Sequence, residues 1–179
     1  MTNSETFKEL NDFIKNVVSA AKENAKKKSY SGKLVESIEG DVKVSKNSIN
    51  ISLYMLPHGE FQDLGVKGAN PSLVKNGKQK APNSPFAYTN KMPPLDMILP
   101  WVKHRNMRFR DSKGRFKTGT QKSLAFVVRR SIYAQGIKPS LFLTEPFNHY
   151  FNDLPEEIID KYGLDVAKFL TSTRKQNLL

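Results

Sequence analysis

Apolar residues recur along this chain with two different periods, and each change of period marks a predicted element. Between residues 5 and 27 they return at three- and four-residue steps, which predicts an amphipathic helix with one buried stripe. From residue 40 the period falls to two, as in strands that bury alternate side chains. We therefore expect a β-hairpin over residues 40–56, turning at Lys46 and Asn47 and covered by the first helix.

The second half of the chain predicts further helices. A helix is expected to begin near Pro94, and Pro100 would end or kink it. Another helix is expected over residues 120–135, capped by Thr118 or Thr120 and ended by Gly136.

A proline-bounded apolar run over residues 138–144 predicts one more strand, which would join the hairpin in a single small antiparallel sheet. A terminal helical region is expected over residues 146–170. These elements predict an α+β fold in one domain, residues 1–179, with amphipathic helices covering the sheet.

Residues 69–94 differ from these elements, because proline and Asn-Gly breakers recur at short intervals among lysines. The segment is predicted to be a long extended arm with apolar anchors at Phe86, Tyr88 and Met92. Two interpretations stay open: the arm docks on a neighbouring subunit, or it is disordered in the isolated chain. Trp101, the single tryptophan, is expected to be a core or interface anchor rather than a platform for a base.

The net charge of +12 favours a polyanion or an acidic protein surface as partner. Its densest part is a basic loop over residues 103–117, in which Phe109 and Phe116 alternate with cations and Asp111 is the only acid. Such a loop fits nucleic-acid phosphates or an acidic subunit, and both interpretations stay open. The candidate contact residues are Lys103, Arg105, Arg108, Arg110, Lys113, Arg115 and Lys117.

Composition adds three expectations. Apolar residues make up 38% of the chain, a low value that indicates loops or segments ordered by partners. The absence of cysteine excludes disulfides and thiolate metal sites. No apolar run reaches membrane-spanning length and the N-terminus is polar, so we expect no membrane contact and no signal peptide.

Catalytic motifs are not evident. The three histidines are far apart in sequence, and phosphate-loop, nucleophile-elbow and dinucleotide-binding patterns are missing. His58 with Glu60 and Asp63 is the best cluster for a metal-dependent nuclease, but solvated polar residues are expected in a turn after a strand. We therefore predict no enzyme activity, no cofactor and no metal.

Three separated blocks carry a resemblance. The first is Ser31-Gly32-Lys33-Leu34, the second an aromatic-Asp-x-Gly element, and the third a Gly-x-Lys-Pro-x-x-Phe segment before the last helix. In their order and spacing they resemble the tail-completion or neck protein family of tailed bacteriophages, the head-tail connectors. The positions that carry the resemblance are Gly32, Leu34, Phe61, Asp63, Gly65, Gly136, Pro139 and Phe142.

The resemblance implies a small α+β structural protein of the virion, assembled in the host cytoplasm, that forms a ring in the neck or upper tail. Its expected partners are further copies of itself, about six or twelve in a closed ring, the portal or adaptor and tail proteins, and genomic DNA bound without sequence specificity. Phe86, Tyr88, Met92 and Trp101 are the expected subunit contacts. The alternative is a stand-alone nucleic-acid-binding protein that lacks sequence specificity.

Overall fold

The computed structural model describes residues 3–27, 32–45, 48–70 and 79–162. Within these ranges the fold is α+β, with helices and two small two-stranded antiparallel sheets. The sequence predicts one domain, whereas the chain divides into two compact units. Unit 1 comprises Met1–Asp63 and Leu141–Leu179, and unit 2 is the intervening segment Leu64–Ser140.

In chain order, the described elements of unit 1 before the insertion are α1 Asn3–Lys26, α2 Lys33–Glu36, β1 Glu39–Ser45, β2 Ser48–Tyr54 and α3 His58–Leu64, whose last residue opens unit 2. Unit 2 continues with β3 Val66–Lys67, α4 Leu95–His104, α5 Gln121–Gln135 and β4 Gly136–Ile137. Unit 1 resumes with α6 Thr144–Asn152 and α7 Glu156–Tyr162. The terminal helical region predicted over residues 146–170 therefore contains two helices before residue 163. Its remainder, residues 163–170, lies outside the described residues.

The core of unit 1 forms where α1 packs on the β1–β2 hairpin and on α6. The two strands of the hairpin predicted over residues 40–56 are confirmed, with Val42 opposite Ile51 in antiparallel register, and the turn predicted at Lys46 and Asn47 lies outside the described residues. The predicted helical stripe is confirmed apart from one end, since Phe7 is 45% exposed while Thr6 is buried. Phe13, Phe147 and Phe151 form an aromatic cluster with ring centroids 5.5–6.4 Å apart, an arrangement that adds to the burial energy of each ring.

Asp63 joins the two chain segments of unit 1, Met1–Asp63 and Leu141–Leu179. Its carboxylate accepts hydrogen bonds from the backbone N–H groups of Leu143 at 2.9 Å and Thr144 at 3.4 Å, and from the Thr144 hydroxyl. Its backbone oxygen accepts from the N–H of Leu141 at 3.0 Å. Because the first N–H groups of a helix lack partners within the helix, Asp63 acts as the N-terminal cap of α6 from 80 residues away.

The strand predicted over residues 138–144 is therefore wrong. Only Gly136 and Ile137 are extended and paired, and they pair with Val66 and Lys67 of β3 rather than with the hairpin. Pro139 has no N–H to continue a ladder, and the N–H groups of residues 141, 143 and 144 all bond to Asp63. The apolar run becomes a turn and the start of α6 instead.

In unit 2, α4 and α5 pack against each other around Val102, Leu124 and Ala125. The helix predicted over residues 120–135 is confirmed, with the Thr120 side chain accepting from the N–H of Ser123 at 3.1 Å. Helix α4 continues through Pro100 to His104.

The arm predicted over residues 69–94 is not free where the structure describes it. Residues 79–94 pack within unit 2, because the backbone of Lys67 bonds both to the oxygen of Phe86 and to the N–H of Tyr88. The buried Gln79 side chain bonds both the N–H and the oxygen of Gly68. The N–H of Lys80 bonds the oxygen of Gln135 at the end of α5. Residues 79–94 are therefore ordered within unit 2, docking of the arm on a neighbouring subunit stays a prediction, and residues 71–78 lie outside the described ranges.

Replacing Asp63 tests the closure of unit 1. We expect Asp63→Ala to lower the free energy of unfolding by about 2 kcal/mol, because the N–H groups of Leu143 and Thr144 lose a buried acceptor. Asp63→Asn retains one side-chain oxygen and should cost less. Urea denaturation measures both, and the exposed Asp41→Asn should stay within about 0.5 kcal/mol of the parent. Equal effects of Asp63→Ala and Asp41→Asn would contradict the role of the cap.

Two glycines with positive φ provide a matched pair in unit 2. At Gly136 (φ 84°) a Cβ would lie 2.1 Å from the backbone oxygen of Val66, whereas at Gly114 (φ 79°) it would meet nothing within 4 Å. Gly114→Ala should therefore cost about 1 kcal/mol of backbone strain, and Gly136→Ala about 3 kcal/mol or more, because β3 must also move away. Thermal denaturation of both variants distinguishes strain alone from strain with a collision.

Candidate nucleic-acid interface

The charge of this protein is concentrated in unit 2. Residues 64–140 hold 16 of the 29 lysine and arginine residues but only two of the 17 acidic residues, Asp96 and Asp111. The formal charge of unit 2 is therefore +14, and because the whole chain carries +12, unit 1 carries −2. A field of this sign over so short a segment attracts polyanions.

The centre of this charge is an exposed hairpin, residues 108–117, which follows α4. The N–H of Lys117 bonds the oxygen of Phe109 and the N–H of Asp111 bonds the oxygen of Arg115, both at 2.9 Å, with a bridge from Arg110 to Phe116 between them. Three residues, 112–114, close the turn. The N–H of Gly114 bonds the oxygen of Asp111, and the positive φ of Gly114 fits the left-handed position of such a turn.

Asp111 organises the hairpin turn. One carboxylate oxygen accepts from the backbone N–H groups of Lys113 and Arg115 at 2.9 Å, and the other accepts from Nε of Arg115 at 3.0 Å. The Asp111 side chain is 18% exposed and the Arg115 side chain is 75% exposed. The hydrogen bond from the Arg115 N–H, followed by those from its side chain and from Lys113, lowers the pKa of Asp111 although partial burial opposes the shift.

Two guanidinium groups lie over the exposed ring of Phe116. The Arg110 guanidinium carbon is 4.6 Å and that of Arg108 is 5.6 Å from the ring centroid, within range of a cation–π contact. Arg110 also donates to the oxygen of Gly114 at 3.2 Å. These contacts restrict two long side chains that would otherwise move freely in water.

The hairpin is rooted in the core of unit 2. Phe109 and Met107 pack against the cluster around Val102 and Leu124. Beyond the hairpin, the chain passes so close to Phe109 that a Cβ at Gly119 would lie 2.3 Å from its ring. The half-buried Met107 and Phe109 therefore attach the exposed basic residues to the core of unit 2.

The structure brings most of the predicted contact residues together. Arg108, Arg110, Lys113, Arg115 and Lys117 belong to the hairpin and are all exposed. Lys103 and Arg105 are also exposed but lie at the end of α4 and just beyond it.

The four predicted subunit contacts belong to unit 2. Trp101 is half-buried against the core of the unit, and its role in a subunit contact stays a prediction. The ring of Tyr88 lies 6.1 Å from that of Tyr133, and burial raises the pKa of Tyr88. Phe86 is half-buried, and Met92 remains 37% exposed.

The residues that carry the resemblance are divided between the two units. In unit 1, Asp63 caps α6 beside the buried Phe142, while Leu34 is buried in α2 behind Gly32, which has a φ of 73°. Phe61 is 40% exposed.

In unit 2, a Cβ at Gly65 would lie 2.4 Å from the oxygen of Ile137 and 2.8 Å from the nitrogen of Pro139. A Cβ at Gly136 would lie 2.1 Å from the oxygen of Val66. Gly65 and Gly136 are therefore structural, since they allow close approach of two chain segments.

The three residues of the candidate nuclease cluster differ in exposure, since Glu60 and Asp63 are buried. His58 is exposed, whereas both carboxylate oxygens of Asp63 bond to the start of α6. Within the described ranges, no three His, Asp or Glu side chains lie close enough to hold a metal ion. No helix in those ranges is long and apolar enough to cross a bilayer.

The segregation of charge is the feature that the sequence prediction missed. The boundaries of unit 2 are needed before its acids and bases can be counted, and no linker-like composition marks them. A search for long stretches with few acidic residues would have found it, because only Asp96 and Asp111 interrupt residues 64–140.

The pH dependence of the hairpin follows from Asp111. Because its pKa is lowered in the folded hairpin, the order it confers is fully present above the ordinary value of about 3.9. That order is lost as the pH falls through the lowered value. In NMR spectra, the amide signals of Lys113 and Arg115 should shift together below pH about 4. Asp111→Asn should abolish the titration, and retention of it in this variant would contradict the assignment.

Comparison of the chain with protein-family models, curated proteins and solved structures gives no match in any of the three. The functional argument therefore rests on the residues and geometry described above.

Proposed function

We propose that this protein is a structural subunit of the head-tail connector of a tailed phage, located in the neck or upper tail, with unit 2 directed towards the genome. The observation that supports this proposal most is the difference in formal charge between the units, +14 in unit 2 and −2 in unit 1. A connector meets a passing polyanion, and a concentration of cations in one unit suits the side of the subunit that faces it. The order of the three resemblance blocks supports the same role.

In this role, copies of the chain associate head-to-tail, and the ring closes when the rotation between neighbours divides a full turn. A groove of about 430 Å³ in unit 2 supplies apolar area for such a contact through Leu95, Phe109, Phe126 and Val127, and Lys122 and Ser123 complete its lining. Phe126 is 47% and Val127 52% exposed, which favours burial in an assembly. The portal or adaptor above and the tail proteins below would be the other partners, and no step requires catalysis, a cofactor or a membrane.

A second candidate is a stand-alone nucleic-acid-binding protein. The observation that favours it is again the charge of unit 2, because backbone binding requires cations but no ring. The two candidates differ in mass in solution and in their presence in particles.

The decisive experiment measures both. Under the connector proposal, the purified chain should form closed oligomers in native mass spectrometry, and mass analysis of purified virions should detect it. Val127→Asp should reduce oligomer formation at least tenfold while leaving the circular dichroism spectrum unchanged, because burying a carboxylate in a subunit contact costs far more free energy than burying the apolar side chain that it replaces. Phe7→Asp, which alters an apolar side chain of similar exposure in α1, is the matched control.

A chain that stays monomeric, is absent from particles and binds duplex DNA with a steep salt dependence would favour the second candidate. Oligomers insensitive to Val127→Asp would retain the connector but move the subunit contact away from the groove.

A further inference from the structure

We propose that residues 108–117 form a preorganised phosphate-binding hairpin that binds the sugar-phosphate backbone of nucleic acid, and that Asp111 positions the cations of this hairpin. The inference rests on the proposed function in one respect, because that function places a nucleic acid near unit 2. Binding by the hairpin itself can be tested without a ring.

The first argument is that the hairpin is organised before any ligand arrives. Asp111 satisfies two backbone N–H groups and Nε of Arg115, and the ladder from Phe109 to Asp111 fixes the strands on either side of the turn. Preorganisation reduces the conformational entropy lost on binding. A flexible basic loop would have the same charge but would lose more entropy on binding.

The second argument concerns which cations remain for a ligand. Within the described ranges, Asp111 is the one acid that pairs with a hairpin cation, and its partner is Arg115. Arg108, Arg110, Lys113 and Lys117 are exposed around it, and Phe116 holds the guanidinium groups of the two arginines. Arginine and lysine in such an array suit the regularly spaced charges of a phosphodiester chain.

The third argument favours nucleic acid over an acidic protein. Protein interfaces bury an apolar centre, whereas residues 112–120 are all exposed and, apart from Phe116, polar or glycine. An exposed aromatic ring among cations is a combination used by proteins that bind nucleic-acid strands, since bases stack on the ring while phosphates meet the cations. Phe116 is 63% exposed, so part of its ring is available to a ligand.

The test uses the two acids of unit 2 as a matched pair. Asp96→Ala and Asp111→Ala remove the same charge, but Asp96 is exposed on α4 outside the hairpin. Affinity of the full chain is measured by fluorescence anisotropy for a labelled mixed-sequence duplex and a single strand, each of about 30 nucleotides per strand, over a range of salt. If charge alone governs binding, both variants bind more tightly.

If the hairpin is a preorganised binding site, the DNA affinities of the two variants change in opposite directions. Asp96→Ala should bind as well as the parent or better, whereas Asp111→Ala should bind about tenfold more weakly, the loss expected for one charge-assisted contact. Arg110→Ala should reduce the slope of log affinity against log salt by about 1. Arg110→Lys should retain the slope but lose affinity, because lysine lacks the planar group that lies over Phe116.

Lys138→Ala and Lys91→Ala, which change exposed lysines of unit 2 outside the hairpin, are the controls for general charge. Circular dichroism and thermal melting establish that each variant is folded. Phe116→Leu adds a variant with unchanged charge, and it should weaken binding to the single strand more than to the duplex.

The proposal is overturned if Asp111→Ala strengthens binding as Asp96→Ala does, or if the hairpin variants lose no more affinity than the two lysine controls. It is also overturned if poly-glutamate displaces the duplex as effectively as unlabelled DNA at equal charge, since the partner would then be an acidic protein. The oligomer mass, measured on the same samples, shows separately whether the connector role fails.

Discussion

The hydrogen bonds of Asp63 are the constraint on which unit 1 depends. The residue ends one half of the unit and, through its carboxylate and its backbone oxygen, binds the first residues of the other half. Without it, α6 would begin with unsatisfied N–H groups next to the buried side chains of Phe142 and Phe147. The aromatic cluster that joins α6 to α1 therefore relies on a polar contact between residues that are distant in sequence.

This closure leaves unit 2 to follow different chemical requirements. Unit 1 has a larger buried core and a balanced charge, whereas unit 2 has a small core around Val102 and an excess of cations. Unit 2 compensates with backbone contacts, including the paired amide of Gln79 and close approaches at Gly65 and Gly136. Most of its described cations are exposed, whereas Arg129 also donates within the unit, to the oxygen of Pro93 at 2.7 Å.

Local patterns predicted what local physics determines. The stripe of α1, the β1–β2 hairpin and the cap and end of α5 at Thr120 and Gly136 were all visible in the sequence. The run over residues 138–144 has a strand's composition, but Asp63 withdraws its N–H groups from any ladder, and no periodicity reveals a partner so distant in sequence. The same limit hid unit 2, because β3 and β4 are only two residues each.

At the candidate site, the cations and their aromatic neighbours were predicted, but the role of Asp111 was not, since a lone acid in a basic stretch has no pattern of its own.

The two residues of unit 1 that flank unit 2, Asp63 and Leu141, lie within hydrogen-bonding distance of each other, so a short direct link could join them in place of unit 2. Unit 1 therefore has the geometry of a host that could accept segments of other length and charge between these two residues without a change in its own core.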